Sequence, residues 1–134
     1  MTAVTIKGLA PILLVEKVEP SLAFFTFTLG FVTGPTVPDA EPYDFAIVAR
    51  DGVEIMLQTF ASAGADTPAA VQGAGRAFVY LTVGDIGAVL AALAPEIEIV
   101  VPRRTTFYGA DEVFIREPGG NIIGFAAFAA PIES

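Results

Sequence analysis

An internal repeat constrains this chain more than any other feature. Displacing residues 10–31 by 68 positions lays them on residues 78–99, so that Leu13 meets Leu81, Val15 meets Val83 and Val18 meets Ile86. Further along, Leu22 meets Leu90, Phe25 meets Leu93 and Leu29 meets Ile97. The distal parts pair as well: DFAIVARDG (44–52) with DEVFIREPGG (111–120), and Ile55-Met56-Leu57 with Ile123-Gly124-Phe125. Two copies of about 60 residues are too few for a solenoid, so the repeat predicts a duplicated module that closes on itself.

The bulk numbers narrow the class. A chain of 134 residues is expected to form one domain, with module one at about 8–59, a connector at 60–75 and module two at about 76–128. With 54% hydrophobic and 16% charged residues it is not a disordered chain. No apolar run approaches the roughly 18–20 residues of a membrane span. The N-terminal stretch has one lysine and no small-residue cleavage site, which argues against a signal peptide and makes the cytoplasm the expected compartment. The absence of cysteine excludes disulfides and thiol chemistry. A net charge of −8, with only Arg103-Arg104 as adjacent basic residues, makes nucleic acid a poor partner. The same charge permits a cationic ligand, though keeping an apolar surface in solution is reason enough for it.

Turn formers and periodicity divide each module. Residues 8–15 read as a strand, followed by a helix with Pro20 in its first turn, Leu22, Phe25 and Leu29 on its buried side, and Gly30 at its end. Residues 31–37 carry Gly and Pro and suit an edge strand. Tyr43–Arg50 and Val53–Thr59 flank Asp51-Gly52, a two-residue hairpin signal. The Ala/Gly-rich stretch 60–75 reads as a linker or a loop over a pocket. The second module repeats the order: strand 76–83, helix 85–94 with Asp85 as N-cap, then strands 97–101, 111–116 and 121–128 around Pro118-Gly119-Gly120. The pattern βαβββ twice over predicts an α+β fold of curved mixed sheets with helices on one face.

With SLAFFTFTLGF after the first strand, FYGADEVFIREPGGNIIGF at the close, and the duplicated βαβββ order, the chain resembles the vicinal oxygen chelate superfamily. That group includes glyoxalase I, extradiol dioxygenases, fosfomycin resistance enzymes and bleomycin resistance proteins. The resemblance spans residues 8–128, and REPGGN lies close to the family's DPDGN. It implies that each module rolls its sheet into half of a cup with the helices on the outer face, and that metal-dependent members hold an ion at the cup floor with ligands from the first and fourth strands of each module. Those positions fall on Ala10, Met56, Phe78 and Gly124, none of which can coordinate a divalent ion, and the chain has no histidine. Glu54 and Gln58 supply donors only if the register moves by two, and two ligands do not make a catalytic site. No metal and no cofactor are therefore expected.

Strand alternation lays out the cup interior. Ile12 and Leu14 share the face of Ala10, Glu54 and Gln58 that of Met56; Phe78, Tyr80 and Thr82 form one stripe of the second module, Ile122, Gly124, Ala126 and Phe128 another. This mostly apolar lining with sparse polar handles is the composition of a small-molecule pocket. Expected ligand contacts are Glu54, Met56, Gln58, Phe78, Tyr80 and the rim residue Tyr108, with Gly124 leaving room; Phe78 and Met56 serve equally well as plugs of the vacated floor. Arg103-Arg104 could grip an anion at the rim, but a solvated pair is the commoner outcome. Phe24 and Phe27 cannot both be buried with ease in a monomer, which points to a partner surface.

These features suit a binding protein similar to the bleomycin resistance branch, and that resemblance implies a homodimer that sequesters an apolar or aromatic molecule, with or without a cationic group, in a cup at the dimer interface. A metal-independent glyoxalase-like enzyme with Glu54 as its acid–base group is the alternative from another class. A structural dimer whose cup is filled by its own side chains is a third. No histidine, cysteine or GxSxG nucleophile motif supports catalysis, so the expectation leans away from an enzyme.

Overall fold

The computed structural model describes residues 3–129. Strands β1 (Ile12–Val15), β2 (Val32–Val37), β3 (Phe45–Arg50) and β4 (Val53–Thr59) form one sheet in the order β1-β4-β3-β2. Strands β5 (Phe78–Thr82), β6 (Glu98–Thr105), β7 (Ala110–Arg116) and β8 (Ile122–Phe128) form the second in the order β5-β8-β7-β6. In each sheet the fourth strand returns beside the first as its parallel neighbour, and the others are antiparallel. The sequence shift survives in the ladders. Leu13 pairs with Leu57 and Leu81 with Phe125, so both partners move by the same 68 positions. Register shifts within β2–β3 and β6–β7 bend the outer strands and curl each sheet without closing it.

Alternation then sorts the faces as expected. Leu13, Val15, Ile55, Leu57, Ala46 and Val48 of the first sheet and Val113, Ile115, Ile123 and Phe125 of the second are buried in one continuous core. Helix α1 (Val18–Ala23) lies on the first sheet and α4 (Ile86–Ala92) on the second, and both join that core. The two concave faces therefore look outward. No helix among the described residues is long and apolar enough to cross a membrane.

Several expected elements take a different form. The first strand starts at Ile12, and residues 8–11 precede it in irregular, largely exposed backbone. The helix expected over 20–29 begins at Val18 and passes from α1 into a π turn (Phe24–Thr28), where Leu29 N–H reaches the Phe24 carbonyl at 3.3 Å. The wider turn carries Phe24 and Phe25 inward together, stacked edge to face with centroids 5.5 Å apart. Leu22 and Leu29 are then only partly buried, and Phe27 is left 89% exposed. Gly30, at φ +71, ends the helix as expected.

The connector is helical up to Val71 rather than a loop throughout. It forms α2 (Phe60–Asp66) and α3 (Pro68–Val71), because alanine favours helix, the Thr59 hydroxyl caps Ser62 N–H at 3.0 Å, and Pro68 sits at the start of α3. Asp51 and Gly52 make the two-residue β3–β4 turn with φ of 50 and 79.

The REPGGN turn between β7 and β8 holds the modules together. The Glu117 carboxylate is buried and has no cation beside it among the described ion pairs. Its Oε2 accepts from the Ser21 hydroxyl of α1 and from Gly119 N–H, both at 2.7 Å. Its Oε1 accepts from Asn121 N–H and Asn121 Nδ2, at 3.1 and 3.0 Å. Asn121 is itself buried: Nδ2 also donates to the Leu14 carbonyl of β1, and Oδ1 accepts from Ala77 N–H ahead of β5. Gly119 is required by closeness, since a Cβ there would collide with Ser21, Val15 and Glu117.

Removing one donor leaves a buried charge short of a partner, which costs about 1–3 kcal/mol. Ser21→Ala is expected to lower the urea unfolding free energy by that amount, and Gly119→Ala by at least as much through collision. An unchanged midpoint in both variants would show that this turn does not join the modules.

Candidate functional site

On the concave face of the second sheet, the even-numbered residues of β5, β7 and β8 converge. Phe78 and Tyr80 lie on edge strand β5, Phe114 and Glu112 on β7, and Gly124 and Ala126 on β8, with Tyr80, Gly124 and Phe114 in register. Phe114 leans across the glycine: a Cβ at Gly124 would come within 2.5 Å of its ring. Phe78 meets the Phe114 ring edge to face at 5.5 Å, and Tyr80 lies tilted at 6.0 Å. The space above Gly124, expected to be open, is therefore filled by this chain's own aromatic rings.

Beneath them sits Glu112, 0% exposed. Its Oε1 accepts from the Tyr80 hydroxyl at 2.8 Å and the Tyr108 hydroxyl at 2.7 Å. Its Oε2 accepts from Arg104 Nε at 2.9 Å and pairs with Nη2 at 2.8 Å. Arg104 faces Glu112 across the β6–β7 ladder, and the tight turn before Gly109 (φ +87) folds Tyr108 back over the strand. Burial pushes the Glu112 carboxyl up, but the hydroxyls of Tyr108 and Tyr80 and the Arg104 guanidinium outweigh it and hold it below the usual carboxylate range. Burial, then the bond to Glu112, raises the Tyr80 hydroxyl well above the ordinary tyrosine range. The pair is locally neutral, with a carboxylate no ligand can reach and a guanidinium that is 54% exposed over the Phe114 ring, 5.9 Å away.

The first sheet presents a plainer face. Ile12, Leu14, Ile47, Met56 and Gln58 line it in register. Met56 and Gln58 are half-buried, and the Gln58 amide donates to the Ser62 hydroxyl of α2 at 3.2 Å. Glu54 lies at the exposed start of β4, opposite Ala49, and lacks the apolar surroundings an acid–base role asks for. Of the residues singled out from sequence, Phe78, Tyr80, Tyr108 and Gly124 belong to one cluster, and Met56, Gln58 and Glu54 to the other sheet. Glu112 was missed. Its even parity with Phe114 on β7 was a readable signal, as was its spacing from Arg104 across a glycine turn.

The donor set does not fit a divalent ion. Met56, Phe78 and Gly124 offer no oxygen or nitrogen side-chain donor, Ala10 lies ahead of β1, and no three acidic, histidine or cysteine side chains converge among the described residues. Two concavities lie elsewhere. One of about 640 Å³ borders Arg104, Thr105, Gly109 and Phe128 at the end of the second sheet. The other, about 490 Å³, runs between the π turn and α4, where Arg50 already donates to Asp51 and to the Leu29 carbonyl.

Glu112→Gln tests the network. The depressed carboxyl contributes stability that is complete above the unfolded value of about 4.3 and is lost as pH falls through the folded value. Tyr80, with its raised value, contributes fully below about pH 10 and loses that contribution as pH rises further. The wild-type advantage over Glu112→Gln in urea unfolding is therefore expected to be flat near neutrality and to shrink in acid, and again above about pH 10. Arg104→Leu is expected to cost about 1–3 kcal/mol, limited by the solvation of its exposed half.

The fold has many solved relatives. An antibiotic-binding protein from Streptomyces sp. CB03234, TnmS3, superposes with a TM-score of 0.70 at 19% identity, covering 95% of this chain and 100% of its own. TioX from Micromonospora sp. ML1 gives 0.69 at 17% identity, covering 91% and 98%. The bleomycin-binding protein of bleomycin-producing Streptomyces verticillus, solved with copper(II)-bleomycin, gives 0.61 at 22% identity, covering 93% and 98%. At these identities the likeness establishes the fold alone. No curated protein sequence matches the chain. A family model does match, over residues 6–125, nearly the whole of both modules. The chain belongs to the Glyoxalase/Bleomycin resistance protein/Dioxygenase superfamily.

Proposed function

We propose that this chain binds an apolar or aromatic small molecule without turnover and without a metal, between the first sheet of one copy and the second sheet of another. The observation that carries this reading is the aromatic wall of the outward-facing second sheet. Phe78 is 73% exposed, Tyr80 42% and Tyr108 48%, beside an exposed guanidinium. Exposed rings around a few polar groups are what a flat ligand stacks on. Each concave face is half a container, and enclosing most of a ligand needs an opposing wall. Ile12, on the first sheet's concave face, is 51% exposed and awaits the same cover. Acid–base catalysis gains no support, because the Glu112 carboxylate is fully occupied by four donors. The antibiotic-binding and bleomycin-binding proteins of the same fold lend the reading weight.

The self-filled cup has one observation in its favour, the Phe114 ring over Gly124. Phe114→Ala separates the two readings: if an aromatic compound binds the variant and not the wild type, the cup is plugged.

Thermal unfolding with a panel of aromatic compounds and divalent metals tests the proposal. A bound compound is expected to add about 2.7 kcal/mol at a hundredfold excess over its dissociation constant. Light scattering is expected to give a dimer. Stabilisation by a metal alone, or a monomer in the presence of a stabilising compound, would refute it.

A further inference from the structure

The hydrogen-bond directions around Glu112 specify what the second sheet's face asks of a ligand. A carboxylate can only accept, so both tyrosine hydroxyls spend their single proton on it. With those protons committed, the Tyr80 and Tyr108 oxygens can offer a further partner only acceptance, and the two residues are 42% and 48% exposed. Arg104 can only donate; Nε and Nη2 face Glu112, which leaves Nη1 without a described partner. Acceptor oxygens and a donor nitrogen thus converge on one carboxylate, among the rings of Phe78 and Phe114.

Resting on the binding role above, we infer that this face selects a flat aromatic ligand carrying a hydroxyl at its edge, which donates to a tyrosine oxygen and accepts from Arg104. One hydroxyl answers both demands, whereas an ether answers only the second. A cationic edge finds no free anion among the described residues at the centre, because Glu112 is buried and paired with Arg104. Tyr80 and Tyr108 are the specificity-determining residues, and Glu112 positions them by holding their protons inward. Protonation of Glu112 would release that constraint, and its depressed ionisation keeps the arrangement intact across neutral pH.

The test compares 2-naphthol with 2-methoxynaphthalene by isothermal titration calorimetry on the full chain at pH 7. The two share the ring system and the acceptor oxygen, and the ether carries a methyl group in place of the donor proton. A net hydrogen bond is expected to make the naphthol bind roughly five- to tenfold more tightly. In Tyr80→Phe/Tyr108→Phe, with folding checked by circular dichroism, the ratio is expected to fall to about one. Equal binding of the two compounds to the wild type overturns the donor requirement and leaves the binding role standing. Binding of neither overturns the binding role, and this inference with it. The wild-type ratio decides even if the double variant does not fold.

Discussion

A buried carboxylate that no ion pair among the described residues neutralises holds the two modules in place. Glu117 is stable inside because four donors satisfy both its oxygens, and those donors come from both halves of the chain. An unpaired buried charge would be prohibitive, so the arrangement leaves little freedom. Ser21 must stand at the inner face of α1, Gly119 must lack a side chain, and Asn121 must lie where it reaches Leu14 and Ala77. The apolar core shared by the two sheets is non-directional and would tolerate sliding. The polar turn supplies the direction, and the outward orientation of the concave faces follows from it.

Glu112, near the start of β7, is buried as well, but with different consequences. Its partners are two tyrosines and an arginine whose other surfaces are open to solvent. Where the Glu117 cluster is closed and structural, the Glu112 cluster transmits a buried charge outward as a pattern of donors and acceptors. Two neighbouring acidic residues of β7 and its following turn thus divide the work, one toward the core and one toward the cup.

Much of the fold was legible in the chain. The match of Leu13 with Leu81 and of Leu57 with Phe125 was visible as a repeat because convex-face positions must stay apolar in both modules, and apolar residues at period two survive duplication. The Asp51-Gly52 turn was readable since few residues adopt two successive positive φ values. The site was less legible. Gly124 looked like vacant space because a single strand does not reveal what its neighbour leans across it; the answer was Phe114, opposite in the ladder. Arg104 looked like half of a solvated pair because its partner depends on register across a bulged hairpin. The connector read as a linker or a loop because glycine is interspersed with its alanines, whereas Thr59 and Pro68 give it two helix starts.

By itself the sequence determined the duplicated βαβββ order, the inward and outward faces of the strands and the lack of metal-ligating side chains at the cup floor, all consequences of local periodicity and residue chemistry. Only the tertiary structure decided which polar groups are neighbours. Ser21 and Glu117 stand 96 positions apart in the chain, and Tyr80 and Glu112 stand 32 apart. Hydrogen bonding is directional and short-ranged, so such pairs come into being only when the sheets are curled, registered and docked.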